Sequence, residues 1–456
     1  MMPDGCNRPA SVRDVNTAAP QLPSSALFTD QYELTMLEGA LRSGTAGMRA
    51  IFEVHARRLP NGRRYGVVAG TGRLLEALER FRFGPSELEH LTAAKIVDEA
   101  TCEWLSTYRF RGDIDGYAEG DVYFPGSPIL TVDGTFGDAV LLETLALSIL
   151  NHDSAVASAA SRMVCAAGQR PLIEMGSRRT HEEAAVAAAR ATYIAGFAAT
   201  SNLAAGRRFG IPTTGTSAHA FTMIHPDERS AFTAQVAALG RDTTLLVDTY
   251  DVPTGVRTAV EVAGPELGAV RLDSGDLLLQ ARQTRALLDE LGARDTKIVV
   301  TSDLDEYAIA ALAAAPVDFY GVGTSVVTGS GAPTAGFVYK LVARATAPHP
   351  DAPMRPVAKA SAGKIGRGGR KWALRRYDAA GRGVDEVLHS APPTPGPDER
   401  AVQTPLVRTG ELACPPSIDA ARAHHRRVFA ELPPNAHQLS RGEPALPTLY
   451  AEEEPR

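Results

Sequence analysis

The chain has 456 residues, and because a domain typically has roughly 100–200, we expect two or three domains with ample buried core. Hydrophobic residues make up 44% and charged residues 22%, which excludes a disordered chain, and the ordinary content of 41 glycines and 31 prolines excludes a collagen-like repeat. The formal net charge of −6 lacks the basic excess of a nucleic-acid-binding protein. Any anionic ligand must therefore be held by a local cluster of cations.

The four cysteines, Cys6, Cys102, Cys165 and Cys414, show neither CxxC nor CxxxC spacing, so the sequence predicts no zinc site and no disulfide framework. We expect reduced thiols and a cytoplasmic location. Residues 1–25 lack the apolar run of a secretory signal, and no window approaches ~18 uninterrupted apolar residues. We therefore predict a disordered lead-in over residues 1–25 and no association with a membrane.

Residues 26–137 predict an α+β amino-terminal domain. Its first helix should begin near Asp30, which has capping-box spacing with Glu33, and should end at Gly44. Short apolar runs broken by Asp-Gly and Pro-Gly turns then favour strands. The expected elements are a helix over 28–44, a strand over 51–56, a helix over 74–78 and several strands within 110–137.

Residues 138–343 change to short apolar strands that alternate with amphipathic helices, after a long helix that ends at Ala167. Strands that are apolar on both faces, each followed by a helix, are typical of a parallel sheet covered by helices. Six such units favour an irregular α/β barrel over a single nucleotide-binding fold. The strands are predicted at 171–175, 211–216, 244–247, 269–272, 298–301 and 319–322.

Residues 344–456 predict carboxyl-terminal strands, loops and a tail that pack on the amino-terminal domain. The fold class is thus α/β: an irregular barrel of parallel strands, plus an α+β domain built from the amino-terminal region and the carboxyl-terminal strands. The expected features are a proline-rich linker over 345–356, strands over 356–361 and 371–377, a basic loop over 363–370, a surface loop over 389–405 and a solvated tail over 452–456.

Small and polar residues follow every predicted parallel strand. In barrel enzymes the chemistry lies at the carboxyl ends of the strands, so these segments should meet at one rim. Carboxylates, guanidinium groups, a histidine and a glycine-rich turn on one rim predict a site for a polyanion with a divalent metal. The segments are EMGSRR (174–179), GTSAH (215–219), DTYD (248–251), RLDSGD (271–276), SDLD (302–305) and GVGTS (321–325).

Each of these residues also has a purely structural interpretation. A lone histidine such as His219 is more often a satisfied structural imidazole than a catalyst, and Asp248 or Asp273 can simply cap a helix. Tyr32, on the first helix, is by default a core aromatic. Arg271 lies between two apolar residues at a strand end, where a guanidinium is suited to a planar anion. No nucleophile-elbow, Walker, HExxH or dinucleotide-binding spacing is present, so hydrolase, P-loop, zincin and Rossmann assignments lack support.

A series of ordered motifs is together far more specific than any one of them. They are TDQYELTM (29–36), YGVVAGTGRLLEAL (65–78), FPGSPILTV (124–132), EMGSRR (174–179), SNLAAGRRFGIPTTGTSAH (201–219), LLVDTYD (245–251), VRLDSGDL (270–277), TSDLDE (301–306) and YGVGTSVVTG (320–329). Through these motifs the chain resembles the nicotinate phosphoribosyltransferases, a family of type II phosphoribosyltransferases, over residues 26–345. Residues 359–372 resemble the carboxyl-terminal sheet region of that family.

The resemblance implies synthesis of nicotinate mononucleotide and pyrophosphate from nicotinate and 5-phosphoribosyl-1-pyrophosphate, in NAD biosynthesis and salvage. It further implies coupled ATP hydrolysis, a requirement for Mg2+, and a homodimer in which the amino-terminal domain of one subunit completes the site of the other. Nucleic acid and membrane are not expected partners. The pyridine nitrogen is the nucleophile in this reaction, so the protein needs to supply none.

The same resemblance assigns roles to individual residues. His219 would be transiently phosphorylated by ATP, with Asp248 and Asp273 as further catalytic residues and Asp248 as the group that orients the imidazole. Nicotinate would contact Tyr32, Thr216, Arg271 and Met175; relatives often have an aromatic residue at the position of Met175, where a thioether can still pack on a ring. The metal ligands stay unassigned. The residues implied to bind the phosphoribosyl group are Arg178, Ser274, Asp303, Gly321, Gly323, Thr324 and Ser325.

Two alternatives remain open at this point. The same fold can act on nicotinamide or quinolinate, although a free carboxylate needs a cationic partner such as Arg271, whereas an amide needs a further acceptor. The second alternative is a metabolite-binding barrel without catalysis, which would not require His219 together with the arginines and the GVGTS turn.

Overall fold

The computed structural model describes residues 23–349, 351–359 and 367–451. Cys6 and most of the predicted lead-in, parts of the strand over 356–361 and of the basic loop, and the tail therefore lie outside the described residues. Ser25, at the end of the predicted lead-in, is buried, and its hydroxyl donates to the carbonyl of Ala77 at 2.6 Å. Within the described ranges, no helix is long and apolar enough to cross a membrane.

The described helices include fifteen α-helices, and short 3-10 turns lie at Ala26–Phe28, Pro60–Gly62, Ser177–Arg179, Leu312–Ala314 and Pro434–His437. The α-helices are α1 (Gln31–Arg42), α2 (Thr71–Glu79), α3 (Pro85–Ala93), α4 (Glu99–Ser106), α5 (Phe136–Val140), α6 (Glu143–Ala167), α7 (Glu182–Ile194), α8 (Leu203–Phe209), α9 (His219–Met223), α10 (Glu228–Leu239), α11 (Val252–Ala263), α12 (Leu277–Glu290), α13 (Glu306–Ala311), α14 (Thr324–Val327) and α15 (Ile418–Ala430).

The described strands form two large and two small sheets. They are β1 (Arg49–Ala56), β2 (Gly66–Val67), β3 (Asp113–Tyr117), β4 (Val122–Tyr123), β5 (Leu130–Thr135), β6 (Leu172–Glu174), β7 (Ala199–Thr200), β8 (Thr244–Leu246), β9 (Ala269–Leu272), β10 (Lys297–Ser302), β11 (Phe319–Val322), β12 (Phe337–Ala345), β13 (Met354–Pro356), β14 (Trp372–Tyr377), β15 (Gly383–His389), β16 (Glu399–Ala401), β17 (Gln403–Arg408), β18 (Glu411–Leu412) and β19 (Thr448–Tyr450).

A seven-stranded sheet with the order β13-β12-β1-β5-β3-β17-β18 joins both ends of the chain. All its neighbouring strands are antiparallel. Its buried face packs on α1, α5 and part of α6, where the rings of Phe52 and Tyr339 stack with their centroids 4.9 Å apart. Carboxyl-terminal strands therefore complete the sheet that the amino-terminal region begins.

A six-stranded sheet with the order β7-β6-β11-β10-β9-β8 is parallel throughout. Its apolar residues form a core with α6, α7, α11 and α12. Five of the six predicted strands are confirmed, and β7 was not predicted. The predicted strand at 211–216 is wrong: only Thr213 pairs there, in an isolated parallel bridge with Thr200. Pro212, which has no N–H, and exposed polar neighbours do not sustain a ladder.

The fold is thus mixed α/β, with one parallel sheet and separate antiparallel sheets. A smaller four-stranded sheet has the order β16-β14-β15-β19, and β2 pairs with β4. The surface loop predicted over 389–405 is wrong from residue 399 onward, because β16 and the start of β17 lie there. Arg400 helps to fix β16 in the sheet, because its guanidinium donates to Asp121 at 2.8 Å and to the Tyr377 hydroxyl at 2.9 Å.

The capping box predicted for the first helix is also wrong. Asp30 precedes α1 but makes no side-chain cap, and Glu33 is buried instead of reaching back to it. The Glu33 carboxylate accepts the backbone N–H and the hydroxyl of Thr144, at the start of α6. Burial raises the pKa of Glu33. Tertiary packing of α1 on α6 therefore overrides the local capping preference.

Candidate active site

The carboxyl ends of the parallel strands open into a cavity of ≈ 370 Å³. A larger cavity of ≈ 680 Å³ lies at the ends of β1, β3 and β5 in the seven-stranded sheet and contains none of the polar segments that follow the parallel strands. We take the smaller cavity as the site because it brings together residues at the ends of five parallel strands, β6, β7, β9, β10 and β11, and residues 215–218, which follow the Thr213 bridge. The predicted residues that line it are Met175, Arg178, Thr216, Arg271, Asp273, Asp303, Gly321, Gly323 and Thr324.

Arg271 is the central cation of the cavity. It lies near the end of β9 and donates from Nη1 to the hydroxyl of Thr216. Its Nε is buried and has no hydrogen-bond partner among the described residues. Burial lowers the pKa of Arg271, while Asp273 and Asp248 oppose this effect. A half-buried guanidinium with a free, buried N–H is a binding group for a planar anion.

Met175 and Gly321 form one wall of the cavity. A Cβ on Gly321 would lie 2.5 Å from the Thr301 side chain and 2.8 Å from the sulfur of Met175, so no larger residue fits at this position without a shift. Met175 is tied to the adjacent strand by its backbone N–H, which donates to the Val322 carbonyl at 2.8 Å. The wall thus places the thioether of Met175 directly against the glycine turn.

His219 begins α9 at the rim of the cavity, and its side chain is 36% exposed. Its Nδ1 lies 3.2 Å from the Thr249 hydroxyl, and its Nε2 lies 3.9 Å from Asp273 Oδ2. The Thr249 hydroxyl therefore takes the position beside Nδ1 that the sequence analysis assigned to Asp248, and a role of Asp248 in orienting the imidazole stays a prediction.

Asp248 joins two neighbouring turns by hydrogen bonds. Its Oδ2 accepts the backbone N–H of Asp273 at 2.7 Å and the hydroxyl of Ser274 at 2.9 Å, which ties the turn after β8 to the turn after β9. Its Oδ1 is buried without a partner among the described residues. Asp273 in turn accepts a hydrogen bond from the hydroxyl of Thr301. The carboxylates beside the imidazole are thus held by donors from neighbouring strand ends.

Tyr32 and Ser325 do not line the cavity. Tyr32 lies on α1 and is 44% exposed. Burial, together with the charges of Glu143 and Glu33, raises the pKa of Tyr32 to about 12, so the phenol is neutral at physiological pH. Ser325 follows Thr324 in α14 and is half-buried.

The sequence analysis missed several residues in and around the cavity, although most of them lie in segments that it had singled out. Thr249, which contacts His219, belongs to the DTYD segment, but a threonine after an aspartate gives no signal of its own. Glu228, at the start of α10 and outside every motif, is buried. Burial and the charges of Asp251 and Asp248 raise the pKa of its carboxyl. The missed residues that line the cavity are Arg179, Ser201, Gly215, Ser217, Ala218, Thr301 and Ser302.

The cavity offers oxygen ligands suited to Mg2+. Asp273 and Asp303 are its two carboxylates, and Thr301 and Ser302 add hydroxyls. In the described part of the chain, no group of three or more His, Cys, Asp or Glu residues is arranged to hold a metal. Because protein sites commonly hold Mg2+ by one or two carboxylates together with substrate phosphates, these residues fit a metal that arrives with a phosphate ligand.

Comparison with known proteins extends the similarity over nearly the whole chain. The family model described as nicotinate phosphoribosyltransferase (NAPRTase) N-terminal domain matches residues 27–151. Nicotinate phosphoribosyltransferase pncB1 of Mycobacterium tuberculosis (strain CDC 1551 / Oshkosh) is 60% identical over 434 residues, which cover 93% of this chain and 95% of that protein. The nicotinate phosphoribosyltransferase of Bacillus subtilis (strain 168) is 40% identical, over 70% of this chain and 67% of that one. The crystal structure of human nicotinic acid phosphoribosyltransferase superposes with a TM-score of 0.79 at 27% identity, over 93% of this chain and 97% of that one.

Proposed function

Because the chain belongs to the nicotinate phosphoribosyltransferase family, we infer that it forms nicotinate mononucleotide and pyrophosphate from nicotinate and 5-phosphoribosyl-1-pyrophosphate. This reaction belongs to NAD biosynthesis and salvage. The observation that carries the inference is Arg271, a half-buried guanidinium whose buried Nε–H is free, in a cavity at the ends of the parallel strands. It provides the cationic partner that the carboxylate of nicotinate requires.

Nicotinate is expected to bind with its carboxylate on Arg271 and Thr216, which already share a hydrogen bond. Its ring then packs against Met175, whose sulfur lies at the cavity wall. An amide in place of the carboxylate would leave the charge of Arg271 unpaired, which costs free energy in a buried site. This favours nicotinate over nicotinamide.

The phosphoribosyl group is expected on the other side of the cavity. Gly321 and Gly323 line the cavity there without side chains of their own, and Thr324 adds a hydroxyl, while Arg178 and Arg179 also line the cavity. Cleavage of the bond between ribose C1 and pyrophosphate places positive charge on the sugar and negative charge on the leaving group. Preorganised N–H groups and guanidinium groups stabilise the leaving group without a protein nucleophile.

Asp273 and Asp303 are the residues that would hold Mg2+ with the pyrophosphate. When bound, the metal neutralises developing charge on the phosphate oxygens. In addition, Asp273 faces Nε2 of His219 at 3.9 Å, so its carboxylate links the metal-holding side of the cavity to the imidazole.

ATP coupling is proposed to proceed through His219. With Nδ1–H donating to the Thr249 hydroxyl, the lone pair of Nε2 is free to take the γ-phosphoryl group of ATP, and ADP leaves. Water later cleaves the P–N bond and releases phosphate. The phosphorylated imidazole would add a charge of about −2 near Asp273, enough to change how the cavity binds pyrophosphate.

A homodimer is proposed because Tyr32 is not in the cavity of its own chain, although the family resemblance assigns it to the pyridine ring. Tyr32 lies on a surface with other exposed apolar residues, Leu27, Phe28 and Met36. A second copy that covers this surface would bring Tyr32 to the partner's cavity.

The finer predictions about architecture belong to the same proposal. We propose that the six parallel strands and the bridged segment around Thr213 act as an irregular barrel, and that the domains divide near residues 137 and 343. A cytoplasmic location follows from the scattered cysteines and the use of phosphorylated metabolites.

The experiment is a pyrophosphate-release assay with nicotinate, nicotinamide or quinolinate, each with and without ATP and Mg2+. We expect the highest kcat/KM with nicotinate, stimulated by ATP. Preference for nicotinamide or quinolinate would replace the substrate assignment, and binding without pyrophosphate release would support the alternative of a non-catalytic binding protein.

A further inference from the structure

Glu228 differs from the other buried glutamates in the described part of the chain. It is the first residue of α10 and is 8% exposed, yet its Oε1 is buried without any hydrogen-bond partner among those residues. The helix does not need it as a cap, since Asp227 accepts the Ser230 N–H at 2.7 Å. The buried glutamates that do have donors or cations as partners are Glu33, Glu53, Glu119, Glu174, Glu306 and Glu386.

The surroundings of Glu228 bring its carboxyl to the turn beside the active site. Gly255 in α11 has no Cβ, and a Cβ there would lie 2.4 Å from the Val247 carbonyl and 3.3 Å from Glu228 Oε1. The carboxyl therefore lies where α11 packs against the end of β8. Asp248 follows at that strand end, is 9% exposed, and has its own buried, unpartnered Oδ1.

The charges that act on Glu228 are both negative. Asp251, at the start of α11, and Asp248 add to burial, and together they raise the pKa of Glu228 to about 7. The helices packed against α10 also carry His219 on α9, and Arg257 and Glu261 on α11; Glu261 pairs with Arg229 of α10 itself. His225, just after α9, is bonded through Nδ1 to the Phe221 carbonyl.

We propose that Glu228 takes up a proton near neutral pH and acts as a positioning residue for the turn that carries Asp248. A buried carboxylate oxygen without a donor is costly to keep charged, and the cost is greater when a second buried carboxylate without a donor lies nearby. With the charge of Glu228 removed, the turn is undisturbed, and Asp248 Oδ2 keeps the Asp273 N–H and the Ser274 hydroxyl in place. The position of Asp273 opposite His219 thus depends on a residue that touches no substrate.

This inference rests on the proposed function for its activity readout, but it also makes a prediction about stability. A carboxyl whose pKa is raised on folding binds its proton more tightly in the folded state. The contribution of this carboxyl to stability is therefore fully present below the unfolded pKa of about 4.5, and it is lost as the pH rises through the folded pKa of about 7. Loss of the proton would also disturb the Asp248 turn, so kcat/KM should fall above that pH.

The test compares the wild type, Glu228→Gln and Glu228→Ala with a matched control, Glu182→Gln. Glu182 is likewise the first residue of its helix, but it is exposed and does not line the cavity. Tm and kcat/KM for nicotinate mononucleotide formation are measured between about pH 5 and pH 9. Glu228→Gln mimics the protonated acid and keeps a donor.

We expect the ratio of kcat/KM for Glu228→Gln to that of the wild type to rise by up to about tenfold per pH unit above pH 7, with a parallel rise in its relative Tm. Glu228→Ala should lose activity at every pH, and Glu182→Gln should follow the wild type. Ratios for Glu228→Gln that stay flat with pH in both readouts would overturn the proposal. If the wild type formed no nicotinate mononucleotide, the proposed function would fail, while the Tm profiles would still decide the protonation of Glu228.

Discussion

Two arginines, one fully buried and one half-buried, show that charges are paired differently in two regions of this chain. Arg375, in the four-stranded sheet, is 1% exposed and donates to Asp121 at 2.9 Å, to Glu386 at 2.5 Å and to the Val122 carbonyl at 2.8 Å. Those carboxylates raise the pKa of Arg375 above its usual range. Arg271, in the cavity, has Thr216 as a partner and an unused Nε, and burial lowers its pKa.

The comparison separates charge that holds the fold from charge that is available to a ligand. Around Arg375 each acid is matched, because Asp121 also accepts from Arg400 and Glu386 from Tyr117. Around Arg271, buried polar atoms are left unpaired at Asp248 and at Arg271 itself. An unpaired buried polar group costs folding free energy, so the free Nε of Arg271 in the cavity points to compensation by bound substrate.

The largest expected effect is the loss of one chemical step without loss of the fold. His219→Asn should abolish incorporation of label from γ-labelled ATP and ATP hydrolysis, because Nε2 is removed, and leave a slow ATP-independent transfer. The fold should be unaffected, since the imidazole is half-exposed and has Thr249 as its hydrogen-bonded neighbour. Mapping of acid-labile phosphate checks this, and label on another residue of the mutant would refute the assignment.

Arg375→Met tests the other side of the comparison. It leaves the carboxylates of Asp121 and Glu386 buried with one cation fewer, so we expect the free energy of unfolding to fall by about 3–5 kcal/mol. Denaturant unfolding measures the change. The control is Arg382→Met, which breaks an exposed pair with Asp378 and should cost less than about 1 kcal/mol. Equal effects of the two substitutions would show that burial of the network contributes no stability.

Arg271→Ala should weaken nicotinate binding by on the order of 2–5 kcal/mol and leave binding of the phosphoribosyl donor nearly unchanged. The free energy of unfolding should change much less than for Arg375→Met, because the lost guanidinium was incompletely paired. Calorimetric titration with each substrate measures this, with Arg282→Ala, on an exposed position of α12, as the control. Collapse of donor binding with unchanged nicotinate affinity would contradict the role of Arg271.

Thr324→Val should give the smallest of these effects. The hydroxyl that we assign to a phosphate oxygen is lost, so binding of the phosphoribosyl donor should weaken by about 1.5–3 kcal/mol, with nicotinate hardly affected. Thr324→Ser, which keeps the hydroxyl, should restore most of the affinity. Equal losses for both ligands would indicate a disturbed turn instead of a lost phosphate contact.

The strand-end residues were predictable from sequence because parallel strands align their carboxyl ends. That rule placed Arg271, Asp273 and Thr324 in one cavity without any knowledge of the strand order. It does not predict contacts between turns, which is why Thr249 was missed as the neighbour of His219. Glu228 was missed for the same reason, since its environment depends on how α10 and α11 pack at the end of β8.

The errors in the fold have a common physical origin. Local patterns placed a strand at 211–216, where Pro212 and exposed neighbours prevent a ladder, and a surface loop at 389–405. In the second case Arg400 binds Asp121, which is distant in sequence, and that ion pair orders a strand that composition alone does not suggest. Glu33 was likewise expected to cap its own helix, but its carboxylate accepts the backbone N–H of Thr144 in α6.

The pairing of β1 with β12 means that the seven-stranded sheet can be completed only late in biosynthesis. Residues 49–56 find their antiparallel partners at residues 337–345, about 280 residues further along the chain. At roughly 5–20 residues per second, a ribosome needs on the order of 15–60 s to supply that second strand. Throughout this interval one edge of β1 has no partner strand in the nascent polypeptide, and an open strand edge is a template for mispairing. Completion of the seven-stranded sheet is therefore a late event of synthesis, and the open edge of β1 must avoid mispairing until β12 has been made.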